Sequence, residues 1–334
     1  MCRVGLSSAL VVCVAVAVAG CDSAVHVSSP APTVAPTVAL STAAPPAMSG
    51  DPSPSVPIAA TSAVATSIVS EGARPDKALV IVEENHTQAA ALSGMPYLAS
   101  LADNYGEATA YEAVAHPSLP NYLALVSGST FGVNDDQPPA DHQVTGDSVM
   151  DLAIARAATA KAYIEDMPSP CMLESSGDYA VKHNPWAYFA DPAPRRNCLA
   201  FDVPSGTPTG GNLHDDIQSG TLPTTGILIP NLCHDAHNCP LQAADDWLRE
   251  WLPALMQGPD YRAGRLAIVI TFDEDDNSGA NTVLTTVIAP TVQHVRTSTE
   301  LTHYSLTRYL AELAAATPPG AGATAPSLST AFNM

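Results

Sequence analysis

Apolar residues along this chain alternate between short continuous runs and stretches with helical spacing. Lys77-Ala-Leu-Val-Ile-Val-Glu83 predicts a strand buried on both faces, and Arg265-Leu-Ala-Ile-Val-Ile-Thr-Phe272 is the strongest such run. Shorter runs at Ala162 to Ile164, Gly226 to Ile229 and Val283 to Ala289 predict further strands. Met95 to Tyr105, Pro120 to Val126, Gly146 to Ala153, Leu241 to Met256 and Tyr304 to Ala315 carry helical spacing. Asp147 or Ser148 is placed to cap the helix after Gly146, and Trp247 and Trp251 share one helix face. Strands alternating with helices predict an α/β fold, an α/β/α sandwich around a mostly parallel sheet.

The ends of the chain read differently. Residues 4–20 are small and apolar, follow Arg3 and end in Val18-Ala19-Gly20-Cys21. That stretch is short for a membrane span and has the pattern of an export leader, so residues 1–20 are expected to be a signal peptide. The small-small-Cys ending resembles the lipobox of bacterial lipoproteins, which implies cleavage before Cys21 and acylation of that cysteine. An ordinary secretory peptide cut nearby is the alternative. Residues 21–75 are rich in Ala, Pro, Ser and Thr without aromatic residues, which predicts a disordered tether. Residues 318–334 have the same character and predict a flexible tail. Residues 76–317, about 240 in all, are enough for one large domain with its own core.

Charge and cysteine content narrow the class. Thirteen basic against 33 acidic residues leave a formal charge of −20, which disfavours nucleic acid as a partner. The same charge disfavours docking on anionic lipid, leaving the lipid on Cys21 as the expected membrane attachment. Of seven cysteines, Cys171, Cys198, Cys233 and Cys239 remain once Cys2, Cys13 and Cys21 are set aside. Cys171–Cys198 and Cys233–Cys239 are the sequence-near pairing among three connectivities, and no Cys-x-x-Cys spacing favours a metal thiolate.

In α/β folds chemistry gathers where strands end. The first strand ends in Glu83-Glu84-Asn85-His86-Thr87, and the strongest in Asp273-Glu274-Asp275-Asp276-Asn277. Four consecutive acids repel unless a cation or bulk water screens them. An EF-hand loop fails here, because Ser278 and Leu284 stand where its glycine and bidentate glutamate belong. Carboxylates delivered by two strands to one sheet edge predict a hard-cation site. Ser118, in His116-Pro-Ser-Leu-Pro-Asn-Tyr122, precedes a helical pattern, so capping and nucleophilic catalysis are both open to it.

Four segments occur in a telling order: Glu-Glu-Asn-His-Thr at 83–87, His-Pro-Ser-Leu-Pro-Asn-Tyr at 116–122, Lys-Ala-Tyr-Ile-Glu-Asp-Met-Pro at 161–168 and Thr-Phe-Asp-Glu-Asp at 271–275. Together they resemble the bacterial phosphoesterase family of acid phosphatases and phospholipases C, within the alkaline phosphatase superfamily, and in particular secreted actinobacterial acid phosphatases. The resemblance implies an alkaline-phosphatase-like fold and an exported, metal-dependent phosphomonoesterase working through a phosphoserine on Ser118. It implies Glu84, Asn85, Ser118, Asp273 and Glu274 as metal ligands. Asn121, His183 and His237 would act on the phosphoryl group, with His234 a rival to His237. His303 either reaches the site or caps the last helix. The mostly oxygen ligand set favours calcium or magnesium without excluding zinc.

The phosphate ester itself is the expected partner. A phosphodiesterase or phospholipase C of the same family is the enzymatic alternative, with residues 169–240, including Trp186, Tyr188 and Phe189, expected as a lid that selects the alcohol. A non-catalytic binding lipoprotein is the alternative outside enzymology. Lys182, Arg195 and Arg196 are open to two readings, recognition of an extra phosphate or a solvated face, and the solvated face is the expected one. The expected location is the outer face of the cell membrane, with shedding to the extracellular space and the oligomeric state left open.

Overall fold

The computed structural model describes residues 74–334, so the expected signal peptide, Cys21 and almost all of the tether lie outside the described residues. Among the described residues there are ten strands: β1 (Lys77–Glu83), β2 (Gly106–Ala108), β3 (Tyr111–Glu112), β4 (Ala160–Ile164), β5 (Asp202–Pro204), β6 (Thr225–Ile229), β7 (Leu266–Phe272), β8 (Thr285–Ile288), β9 (Val295–Thr297) and β10 (Leu301–Thr302). Eight of them form one sheet in the order β5-β4-β6-β1-β7-β8-β2-β9, while β10 pairs with β3 apart from it. Only β8 runs antiparallel to its neighbours, β7 and β2.

Every residue of β1, β6, β7 and β8 is buried, as it must be when helices cover both faces. The helices Ser118–Ser127, Val149–Ala155 and His303–Leu313 pack together and reach β1, β4 and β6. Pro96–Asn104, Leu241–Gln257 and Pro259–Arg262 make a second group against β7 and β8. Trp247 and Trp251, one helical turn apart, are both buried by this second group, and Ser148 rather than Asp147 caps Val149–Ala155. The α/β fold with a mostly parallel sheet is therefore as expected. Short strands β2, β3, β5, β9 and β10 were not predicted, because two or three residues leave no periodicity to read.

The four remaining cysteines form Cys171–Cys198 and Cys233–Cys239 disulfides, the sequence-near pairing. Residues 169–240 are no lid: they supply β5 and β6, and Trp186, Tyr188 and Phe189 are fully buried. The Trp186 indole donates to Asp151 and the Tyr188 hydroxyl to the Gln137 carbonyl, so both polar tips are satisfied inside the core.

The expected flexible tail is also corrected. Leu328, Phe332 and Met334 are buried, and the Phe332 ring covers Gly106 so closely that a Cβ there would lie 2.8 Å from it. Gly128, left-handed at φ 70°, ends the Ser118–Ser127 helix and accepts the Ala321 N–H at 2.8 Å. Alanine, proline and glycine content hid a few apolar anchors that suffice to dock the segment. Phe332→Ala should cost about 3 kcal/mol, seen as a lower midpoint in urea; an unchanged midpoint would return the tail to solvent.

Candidate active site

β1 and β7 lie side by side in parallel register, so both deliver their C-terminal residues to one edge of the sheet. Successive strand residues point to opposite faces, which separates Glu83 from Glu84. Glu84 is the hub. Its Oε2 accepts the Ser118 hydroxyl at 3.1 Å and the Asn85 amide at 2.8 Å, and its Oε1 accepts the Tyr122 hydroxyl at 2.6 Å. Asn85 adopts the left-handed conformation, which asparagine tolerates, and its backbone N–H reaches Asp273 Oδ1 at 3.0 Å. Glu83 instead lies buried with neither oxygen hydrogen-bonded. Burial, then Asp235, holds its carboxyl well above the usual range.

Ser118 is the first residue of its helix and makes no capping bond; Pro117 occupies the cap position. Its hydroxyl is thus free for Glu84, and the capping reading is set aside. Tyr122 lies one helical turn on, which puts both hydroxyls on the same face toward the same carboxylate.

Asn121 is turned to another task. Its Oδ1 accepts the N–H groups of Val114 and Ala115, each at 3.0 Å, and its Nδ2 donates to the carbonyls of Ala115 and Pro117. A weaker 3.3 Å bond reaches Glu274. These bonds use up the amide as a brace for the turn that presents Ser118. The expected donation from Asn121 to a phosphoryl oxygen is corrected accordingly.

His183 is buried beneath this cluster, stacked on the Tyr122 ring at 5.1 Å. Its Nε2 is 3.1 Å from Glu84 Oε1 and its Nδ1 is 3.1 Å from Asp235 Oδ2, yet Nε2 lacks the alignment of a hydrogen bond. Burial, then Lys182 and His237, keeps the ring's pKa well below its ordinary value. His237 stands 5.6 Å from His183, centroid to centroid, whereas His234 turns away to Glu165 and stacks on Trp247. His303 takes the structural role, bonded to the Asp273 carbonyl at 2.6 Å and to Tyr111 at 3.1 Å.

The charges are costly. Burial, then Asp273 and Asp235, holds Glu84 well above the carboxylate range. Burial pushes Asp273 up to about 7, opposed by the amides of Asn85 and Glu274 and by Ser118. Asp235 is likewise raised to about 7, mainly by burial, and Glu274 to about 9 by burial and then Asp273. Asp273 Oδ2, Asp235 Oδ2 and His183 Nε2 are buried without hydrogen-bond partners. Unpaired acceptors converging on buried carboxylates are the residues a cation requires, so the donor set fits one. Among the described residues, ligand atoms of Glu84, His183 and His237 lie within 4.8 Å of one another. Two imidazoles beside the carboxylates remove the chemical ground for preferring calcium or magnesium to zinc.

Several groups escaped the sequence reading. Tyr122 stood in the quoted motif without a role, and Asp235 lay unnoticed between His234 and His237. His116 Nδ1 is 2.7 Å from Glu274 Oε2, which orients that carboxylate. Lys182, read as surface, is largely covered and lies 3.1 Å from both Asp136 Oδ2 and His237 Nε2. Burial alone would lower its pKa, but Glu84, Asp136 and Asp273 raise it. Arg195 is spent on the Ala187 carbonyl. Asp275 braces its loop through Asn281 and Asn277.

The fold, an α/β architecture around a mostly parallel sheet, is similar to that of solved proteins of the alkaline phosphatase superfamily. The chain is similar to a member of that superfamily from Vibrio parahaemolyticus at TM-score 0.52, over 78% of this chain and 72% of that one, with 9% identity. The phosphoesterase family profile matches residues 88–295, and the chain belongs to that family. It is 30% identical over 243 residues to phosphatidylinositol-3-phosphatase of Mycobacterium tuberculosis, covering 70% of this chain and 75% of that one. Phosphate-repressible acid phosphatase of Penicillium chrysogenum is 30% identical over 212 residues, 59% of this chain and 49% of the fungal one. The chain therefore spans three quarters of the mycobacterial relative and about half of the fungal one. It is a phosphoric ester hydrolase, as the four ordered motifs implied.

Proposed function

We propose that this chain is an exported, cation-dependent acid phosphatase that hydrolyses phosphate monoesters through Ser118. The observation that carries the reading is the 3.1 Å bond from the buried Ser118 hydroxyl to Glu84, inside a carboxylate cluster with unpaired acceptors. Glu84, Asn85, Asp273 and Glu274, with Ser118 itself, would hold a divalent cation, and His183 and His237 border the same space. When bound, such a cation lowers the pKa of a hydroxyl and neutralises phosphoryl charge.

The protein's own part follows from the geometry. Glu84 orients the Ser118 hydroxyl, and Tyr122 holds the other oxygen of that carboxylate so that it does not rotate. Ser118 Oγ passes its proton to Glu84 Oε2 and attacks phosphorus in line as the bond to the leaving oxygen breaks, giving a phosphoserine. His237, exposed beside Lys182, is placed to give the departing alcohol its proton, and water then cleaves the phosphoserine. A cavity of about 610 Å³ lined by Pro138, Ser175, Val181, Lys182, Leu232 and His237 adjoins the site and would take the alcohol. The names of the mycobacterial and fungal relatives support monoesters as substrates.

Export and the anchor on Cys21 remain part of this proposal. Two disulfides in the domain support an oxidising compartment. No helix among the described residues is long and apolar enough to cross a membrane. The test of substrate class compares p-nitrophenyl phosphate, bis-p-nitrophenyl phosphate and a phosphocholine ester across pH with calcium, magnesium or zinc. The monoester should be preferred by at least about tenfold in kcat/KM, a difference of roughly 1.4 kcal/mol. Preference for either diester would place the chain with the phospholipases C, and no turnover under any metal would favour the binding lipoprotein.

A further inference from the structure

One carboxylate faces the nucleophile helix without joining the cation-binding set. Asp136 lies in the connection between Ser127 and Val149, and its two oxygens are divided between two donors. Oδ1 accepts the N–H of Leu119, the residue after the nucleophile, at 3.0 Å. Oδ2 lies 3.1 Å from Lys182 Nζ, which is itself 3.1 Å from His237 Nε2. Asp136 also sits close enough to Glu274 and His183 to act on both electrostatically.

A helix-capping role does not account for this placement. The cap position belongs to Pro117, and the anion on the Leu119 amide comes from the connection after the helix into a region that already holds the Glu274 carboxylate. Adding a carboxylate there carries an electrostatic cost. What Asp136 reproduces is an anion with two oxygens, one on a helix amide beside the nucleophile and one on an ammonium. Those are the donors that a phosphoryl group being attacked by Ser118 needs for its non-bridging oxygens. His183, buried beside these donors, feels both Lys182 and Asp136, while its Nε2 lies 3.1 Å from Glu84 Oε1 without a hydrogen bond.

We propose that the Leu119 amide and Lys182 form the seat for phosphoryl oxygens, and that Asp136 fills this seat until substrate displaces it. The proposal rests on the phosphatase reading and deepens it: Lys182 becomes a phosphate-binding residue and Asp136 an internal competitor.

The test uses the full chain with its metal at one fixed pH. Orthophosphate affinity is read by calorimetry and as Ki against p-nitrophenyl phosphate for wild type, Asp136→Asn and Lys182→Met. Asparagine still accepts the Leu119 N–H but loses the charge that ties it to Lys182. Asp136→Asn should therefore bind orthophosphate about five- to tenfold more tightly, with KM falling alongside Ki. Lys182→Met should weaken orthophosphate by at least about tenfold. An Asp136→Asn affinity unchanged or weaker, or a Lys182→Met affinity unchanged, overturns the seat. The opposite shifts in calorimetry without turnover of any ester would uphold the seat and reject the phosphatase reading. Turnover without those shifts would reject the seat alone.

Discussion

Ser118→Ala is expected to lower monoester turnover by at least about a thousandfold while leaving the fold intact. The hydroxyl donates to Glu84 Oε2, and that oxygen keeps its second partner in the Asn85 amide. The helix it begins draws nothing from the side chain for its cap. Loss of one such bond costs about 1 kcal/mol of stability, which a domain of this size tolerates. Steady-state hydrolysis of p-nitrophenyl phosphate together with a thermal melt separates the two effects. Wild-type turnover from a well-folded alanine variant would sink the nucleophile assignment.

Asp273→Asn should produce the second large effect, and its signature is a divergence between activity and stability. Activity should fall by about a hundredfold or more through lost cation binding. In chelator the variant should nonetheless be more stable than wild type, because a buried carboxylate with an unpaired oxygen has been neutralised. Its folded pKa is raised from 3.8 to about 7, mainly by burial, so folding favours the protonated acid. In the metal-free wild type, stability from this group falls as pH rises from about 4 through about 7. The variant's advantage should be near zero at pH 4 and on the order of 1 kcal/mol or more at pH 8. Added cation should reverse the order, since binding to the folded state stabilises the wild type by mass action. Denaturant titrations at the two pH values, with chelator and with metal, decide it. A variant less stable than wild type in chelator at pH 8 would contradict the picture of an electrostatically strained, cation-requiring cluster.

The long strands β1 and β7 were legible because a continuous apolar run of this length suits only an interior strand. The carboxylates at their ends were legible for a related reason: a sheet interior cannot hold four successive acids, so they had to stand at its edge. The hydrogen-bond partners around Asn121 were not legible. Whether an amide faces a substrate or braces a turn depends on which backbone groups the fold leaves open, and here Val114 and Ala115 claim it. Lys182 was misread for a similar reason. Its neighbours in sequence do not reveal that Asp136, 46 residues earlier, and His237, 55 residues later, meet it at the same point. The tail was misjudged by composition, which averages over Leu328 and Phe332 when single apolar side chains determine docking.

By itself the sequence determined the α/β class, the two long strands that end in carboxylates and, through four ordered motifs, the phosphoesterase family. Those properties follow from local patterning or from near neighbours along the chain. Only the tertiary structure decided that Tyr122 bonds Glu84, that Asp235 stands beside His183, that Lys182 lies between Asp136 and His237, and that Asp136 sits on the Leu119 amide. The reason is physical. Strand alternation sends adjacent residues to opposite faces, and electrostatic roles are set by distances between groups that are far apart in sequence.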